Sequence, residues 1–152
     1  MGLCRMSEIV KFSDAANLAF HAMIELSEQL DCEVSIKTIA AKLHASEAHL
    51  SKVLQRLRKE GLVSSSRGPT GGYQIARPPS KISFEDIFEA IEGPIVLKSC
   101  LFGTPVCRNS KCGLGRFVGL VNKEIKNFLG GLTLAEFPEA LTRIRKSNLS
   151  AA

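Results

Sequence analysis

The stretch SIKTIAAKLHASEAHLSKVLQRLRKEGLVSSSRGPTGGYQIA, Ser35 to Ala76, decides the fold. Ser35 stands as an N-cap before Ile36, Ile39, Ala40 and Leu43, which recur at helical spacing and predict a first short helix. The pattern breaks at residues 44–46. Ser46 then caps a second helix in which Leu50, Val53, Leu54 and Leu57 form one apolar stripe, and Gly61 ends it after a basic last turn. Two short helices joined by a tight turn predict a helix-turn-helix. The remaining face of the second helix carries His49, Ser51, Lys52, Gln55, Arg56 and Lys59, side chains able to bond base edges or phosphates in a major groove.

Leu62 to Ser66 and Tyr73 to Ala76 read as two short strands, with Gly68, Pro69, Gly71 and Gly72 supplying the turn between them. A hairpin behind a recognition helix is a wing. Arg67 at its base and Thr70 at its tip join the candidate DNA contacts, an arginine there being placed to enter a narrow, strongly negative minor groove. The glycines do not make a phosphate loop, because Tyr73 begins a strand where such a loop would open a helix with Lys and Ser or Thr.

Charge follows the same segment. From Lys37 to Lys81 nine Lys or Arg face two acids, a surplus of seven, while the remainder carries eleven against thirteen. A local basic surplus suits a polyanion, since each neutralised phosphate releases condensed counterions; the plainer reading is a solvated basic face. At 152 residues and 45% hydrophobic content the chain can bury a core of its own. Its apolar runs fall short of the roughly 20 residues that cross a bilayer, and MGLCRMSEIVKF lacks the layout of a signal peptide, so the expected setting is the cytoplasm, with no membrane partner. In a reducing compartment five cysteines, an odd number, are metal-binding, redox-active or incidental rather than structural disulfides. Three of them, Cys100, Cys107 and Cys112, lie close together, separated by six and then four residues, wider than the pairs of most structural zinc sites.

The helix-turn-helix, the wing RGPTGGYQIA, the downstream ISFEDIFEAIEGP and the cysteine triplet together resemble the Rrf2 family of bacterial winged-helix transcription regulators, from about Lys11 to Leu134. The resemblance implies dimers on partly palindromic DNA operators. The triplet is similar to that of members that bind iron-sulfur clusters, including regulators of cluster assembly and sensors of nitric oxide, redox state or iron. It implies a [2Fe-2S] or [4Fe-4S] cluster on Cys100, Cys107 and Cys112, in a segment with Gly103, Pro105 and Gly113 in which three thiolates can converge. Some members place a histidine three residues after the last cysteine, but that position is Gly115 and no histidine follows His49. The nitric-oxide-sensing members use an aspartate near the start of the first helix, supplied by the partner subunit, and Asp14 in KFSDAANLAF matches it; Glu8 is the next candidate. Helix capping by Asp14 or Ser13 is the simpler use of those residues. A cysteine thiol switch without a cluster, a zinc site and a cluster scaffold remain as alternatives. An enzyme is excluded, because neither a base beside the cysteines nor a nucleotide motif is present.

The fold class that follows is mainly α with a small β-wing, a winged helix-turn-helix domain plus a long dimerisation helix. Leu114, Val118, Val121, Ile125, Phe128 and Leu132 alternate spacings of four and three, the seam of a helix packed on a partner helix, with packing on its own domain as the alternative. A first helix over about Ser13 to Gln29 buries Leu18, Ala19, Ala22, Met23 and Leu26, and Ser83 caps another from Phe84 to Glu92. The expected organisation is a DNA-binding domain over 11–80; a linker helix, cysteine loop and dimerisation helix over 81–134; and a tail over 135–152 containing one more helix before it frays.

Overall fold

The computed structural model describes residues 11–66, 68, 71–97 and 112–138. Within them the helices are α1 (Asp14–Ser27), α2 (Ile36–Lys42), α3 (Glu47–Lys59), α4 (Phe84–Glu92) and α5 (Gly113–Gly131), and β1 (Val63–Ser65) pairs with β2 (Tyr73–Ile75). Each start has a local cause. Ser13, Ser35, Ser46 and Ser83 are N-caps whose hydroxyls accept the amides of Ala16, Thr38, His49 and Asp86, and Ser83 forms a reciprocal capping box with Asp86.

The helix ends decide how α2 meets α3. Past α3, Leu62 N–H bonds Leu57 O and Gly61 N–H bonds Arg58 O, both at 3.0 Å, with Gly61 at φ 67°. This is a Schellman turn, whose left-handed position suits glycine. The end of α2 repeats it with Ala45 N–H to Ala40 O and His44 N–H to Ala41 O, but a histidine holds the left-handed position at φ 49°. His44 is the only non-glycine residue at positive φ among those described, and the tight turn into α3 is what holds it there.

One core unites the elements. Ala16, Ala19, Ala22, Met23 and Leu26 of α1 pack with Leu50, Val53, Leu54 and Leu57 of α3 and with Phe84, Ile87 and Ile91 of α4. Of the side chains expected in the α1 stripe, Leu18 is only half-buried, while Ala16 is buried in addition. Because Ile87, Ile91, Leu132 and Leu134 belong to the same cluster as the buried residues of α1 and α3, the core runs on through α4 without a break at residue 80. A row of rings, Phe12 on Phe20, Phe20 on Phe84 and Phe84 on Phe137 at centroid distances of 5.7, 5.4 and 5.1 Å, fastens both ends of the described chain to it. Lys42 bonds the Glu25 carboxylate at 2.5 Å, which ties α2 to α1 and raises the lysine's pKa. Of the predicted tail helix, residues 137 and 138 are helical and the rest lies outside the described residues.

The wing is stitched to the body at Val34, whose amide and carbonyl exchange two 2.9 Å bonds with Tyr73. Gly72 lies so close that an added Cβ would stand 2.6 Å from Val34 O. Gly72→Ala should therefore cost about 1–3 kcal/mol and loosen the wing, read as a lower denaturant midpoint; an unchanged midpoint would show that Val34 yields freely.

α5 departs from the expected seam. Leu132 is buried beneath α4, its carbonyl accepting the Phe84 amide at 3.0 Å, and so belongs to the core of its own chain. Ile125 leans on that core and Leu129 is buried in it. The Lys126–Glu85 ion pair at 3.3 Å and the close approach of Gly130 to the Glu85 carboxylate hold the same end. Val118 and Val121 are half-buried, while Leu114, Phe117, Leu120 and Phe128 form an open apolar row. The apolar stripe is wider than its contact with the core of its own chain, and the open row lies beside that contact.

Candidate nucleic-acid interface

α3 presents its outer face to solvent because its inner face is filled by Leu50, Val53, Leu54 and Leu57. Lys52, Gln55 and Lys59 are exposed, and Gln55 Nε2 donates to the half-buried Ser51 hydroxyl at 3.3 Å. No ion pair holds Lys52 or Lys59 among the described residues, so both ammonium groups are free for phosphates. The other two predicted helix contacts lie to the sides. His49 lines a shallow cavity of about 390 Å³ with Asp14, Asn17, Leu18, His21, Leu43 and Ala45, between α1 and the start of α3. Arg56 turns to the opposite flank, where its Nη1 donates to Ile91 O at 3.1 Å.

Two arginines outside the predicted set fix the wing against α3. Arg58 Nη1 donates to Ser65 Oγ of β1 at 3.1 Å, and Arg77 Nη2, just past β2, donates to Glu60 O at 2.8 Å. Nothing in the run RLRK distinguishes Arg58 from its neighbours before the strands are placed. The ladder of Val63 with Ile75, Ser64 with Gln74 and Ser65 with Tyr73 is extended at both ends by Ala76 N–H to Leu62 O and Ser66 N–H to Gly72 O. Arg67 and Thr70 lie outside the described residues, as do Cys100, Cys107 and Glu8.

Two of the four candidate metal ligands are described. Cys112 is exposed, free of any disulfide and the N-cap of α5, where its Sγ accepts the Gly115 amide at 3.4 Å. Asp14 is the first residue of α1 and exposed. The cap of that helix is Ser13, whose Oγ accepts the Ala16 amide at 3.0 Å. The Asp14 carboxylate is thus not used for capping, and it has no hydrogen-bond or ion-pair partner among the described residues. Those residues alone assemble no group of three metal ligands.

Residues 12–140 match the Rrf2 family, described as iron-dependent transcriptional regulators. The chain belongs to the Rrf2 family. It is 33% identical over 129 residues to an HTH-type transcriptional regulator of Haemophilus influenzae, covering 84% of this chain and 85% of that one. Among solved structures, CymR, the global cysteine regulator of Bacillus subtilis, superposes with a TM-score of 0.74 at 28% identity over 87% of this chain and 98% of CymR. T. potens IscR superposes with a TM-score of 0.69 at 32% identity over 88% and 89%. This Rrf2 chain is accordingly a DNA-binding transcriptional regulator with a winged helix-turn-helix, and not an enzyme. No helix among its described residues is long and apolar enough to cross a membrane.

Proposed function

We propose that this Rrf2 regulator works in the cytoplasm as a homodimer on a partly palindromic duplex operator, and that an iron-sulfur cluster held by Cys100, Cys107 and Cys112 of one subunit and Asp14 of the other controls its affinity. α3 enters the major groove with Ser51, Lys52, Gln55 and Lys59, His49 flanks the groove, and Arg67 and Thr70 of the wing reach the minor groove. The open row of α5 meets its counterpart across the two-fold axis.

The observation that carries the cluster reading is the state of the two described ligands: a free, exposed thiol and a carboxylate left unused because Ser13 does the capping. Both fit an iron site, thiolate as the firmly held soft ligand and carboxylate as the weaker hard one. When bound, the cluster supplies iron that is sensitive to oxidation state and to nitric oxide. The chain's own part is mechanical. A ligand set shared between the cysteine segment of one subunit and α1 of the other sets the separation of the two recognition helices, and a coupling of about 1–3 kcal/mol changes operator occupancy about 5- to 150-fold.

A second reading follows from the likeness to CymR, which in Staphylococcus aureus has an oxidised form: the three thiols switch without iron. Anaerobic reconstitution with iron and sulfide separates the two. A coloured protein with iron and sulfide in equal amounts supports the cluster, whereas zinc alone, or a colourless protein that forms a disulfide in air, removes it and leaves the DNA reading intact. On an operator selected from random duplex DNA, Arg67→Ala should weaken binding by about 1–3 kcal/mol, while Lys59→Ala should lower the salt slope by about one. Equal operator binding by parent and Arg67→Ala would end the wing assignment.

A further inference from the structure

We propose that Arg56 is a positioning residue that couples the cysteine segment to the recognition helix, rather than a contact to DNA. The inference rests on the cluster-controlled reading above and adds the route by which control reaches α3.

Its basis is the end of α4. The last carbonyls of a helix have no partner within it, and a cation there also meets the negative end of the helix dipole. Arg56 supplies both the bond and the charge, at 3.1 Å from Ile91 O. One residue on, Glu92 Oε1 accepts the hydroxyl of Ser13 at 2.5 Å, the residue that caps α1 directly before Asp14. Past Gly93, at φ 83°, the Ile95 amide returns to Glu89 Oε1 at 2.9 Å. Three elements therefore meet within residues 89–95: the recognition helix through Arg56, the turn that presents Asp14 through Ser13, and the chain that leads on to Cys100 and Cys107.

A pull on the chain beyond Ile95, or on the first turn of α1, moves the last turn of α4. The planar guanidinium passes that movement to α3 in its third turn, between the exposed Lys52 and Lys59. Arg58, two residues away, is committed to the wing instead.

Parent, Arg56→Ala and Arg56→Lys are compared in three measurements. Amide exchange in the stripped protein should rise about tenfold at Gly93 and Ile95 in the alanine variant, as expected when a charge-assisted bond is lost, and recover in part with lysine. The salt slope on non-specific duplex should match the parent. The ratio of operator affinities between cluster-loaded and stripped protein should fall towards one in the alanine variant and recover in part with lysine. A slope lowered by about one with exchange unchanged would make Arg56 a phosphate contact and overturn the proposal. Lower thermal stability with an unaltered affinity ratio would reduce it to a fold contact and overturn it equally. A ratio of one in the loaded parent overturns cluster control itself without reference to any Arg56 variant, and exchange and slope then still decide whether Arg56 ties the helices or touches DNA.

Discussion

Phe117→Asp combined with Phe128→Asp should give a folded monomer whose operator affinity is about 10²- to 10⁴-fold below that of the parent, the range lost when two linked binding events become independent. Phe117 is 62% and Phe128 55% exposed, so their rings contribute little to the fold of a single chain. In the proposed dimer the same rings are covered, and a carboxylate buried there costs several kcal/mol unless the helices part. Weak, salt-dependent binding to any duplex should survive, because the basic face of α3 is untouched. Leu129→Asp is the control: Leu129 is 4% exposed within its own chain, so this change should unfold α5 instead of splitting a dimer. Sedimentation decides the outcome, and a double variant that stays dimeric would show that the open row serves another purpose.

The other large effect concerns the cluster, and the cap of α5 provides an unusually clean substitution. Cys112→Ser removes the thiol but keeps an N-cap side chain, and serine is among the preferred residues at that position. We expect the variant, reconstituted anaerobically with iron and sulfide, to lose the visible absorbance entirely while its melting temperature stays equal to or above that of the stripped parent. Loss of colour could then not be assigned to a frayed helix. Asp14→Ala should act more mildly, because water or a small thiol can take the carboxylate's place: colour forms, fades faster in air and responds differently to nitric oxide. A Cys112→Ser protein as coloured as the parent would remove Cys112 from the ligand set. If Asp14→Ala instead matched the parent in decay and in nitric oxide response, Glu8 would be the next residue to replace.

The parts of the molecule that were legible in the sequence are those governed by rules within a few residues. Ser35, Ser46 and Ser83 announce their helices because a hydroxyl must satisfy an amide three residues on, and Gly61 announces an end because the left-handed position disfavours a side chain. The stripe of Leu50, Val53, Leu54 and Leu57 separates the buried from the free face of α3 on periodicity alone. What stayed hidden depends on distant contacts. Spacing puts Leu132 on a dimer seam, but a stripe broad enough for two neighbours does not say which neighbour each residue meets, and the Phe84 amide draws this one inward. Within RLRK the charges look alike, yet the placement of α4 and β1 sends Arg56 to one and Arg58 to the other. Gly72 reads as one more turn glycine until Val34 arrives from 38 residues earlier to occupy the space of its missing side chain. Asp14 and Ser13 are equal as caps on paper; only the bond from the Ala16 amide assigns the task to Ser13.

The fastening of the wing at Val34, together with the bonds of Arg58 to Ser65 and Arg77 to Glu60, turns two reading heads into a caliper of fixed opening. On the proposed DNA reading, such an instrument tolerates a changed letter better than a changed distance. A base substitution removes one contact and leaves the others seated. An inserted base pair lengthens the half-site by about 3.4 Å and rotates everything beyond it, so the recognition helix and the wing can no longer reach their grooves together. The operators of this regulator should therefore be recognisable less by a strict consensus than by a constant interval between the sites read in the two grooves.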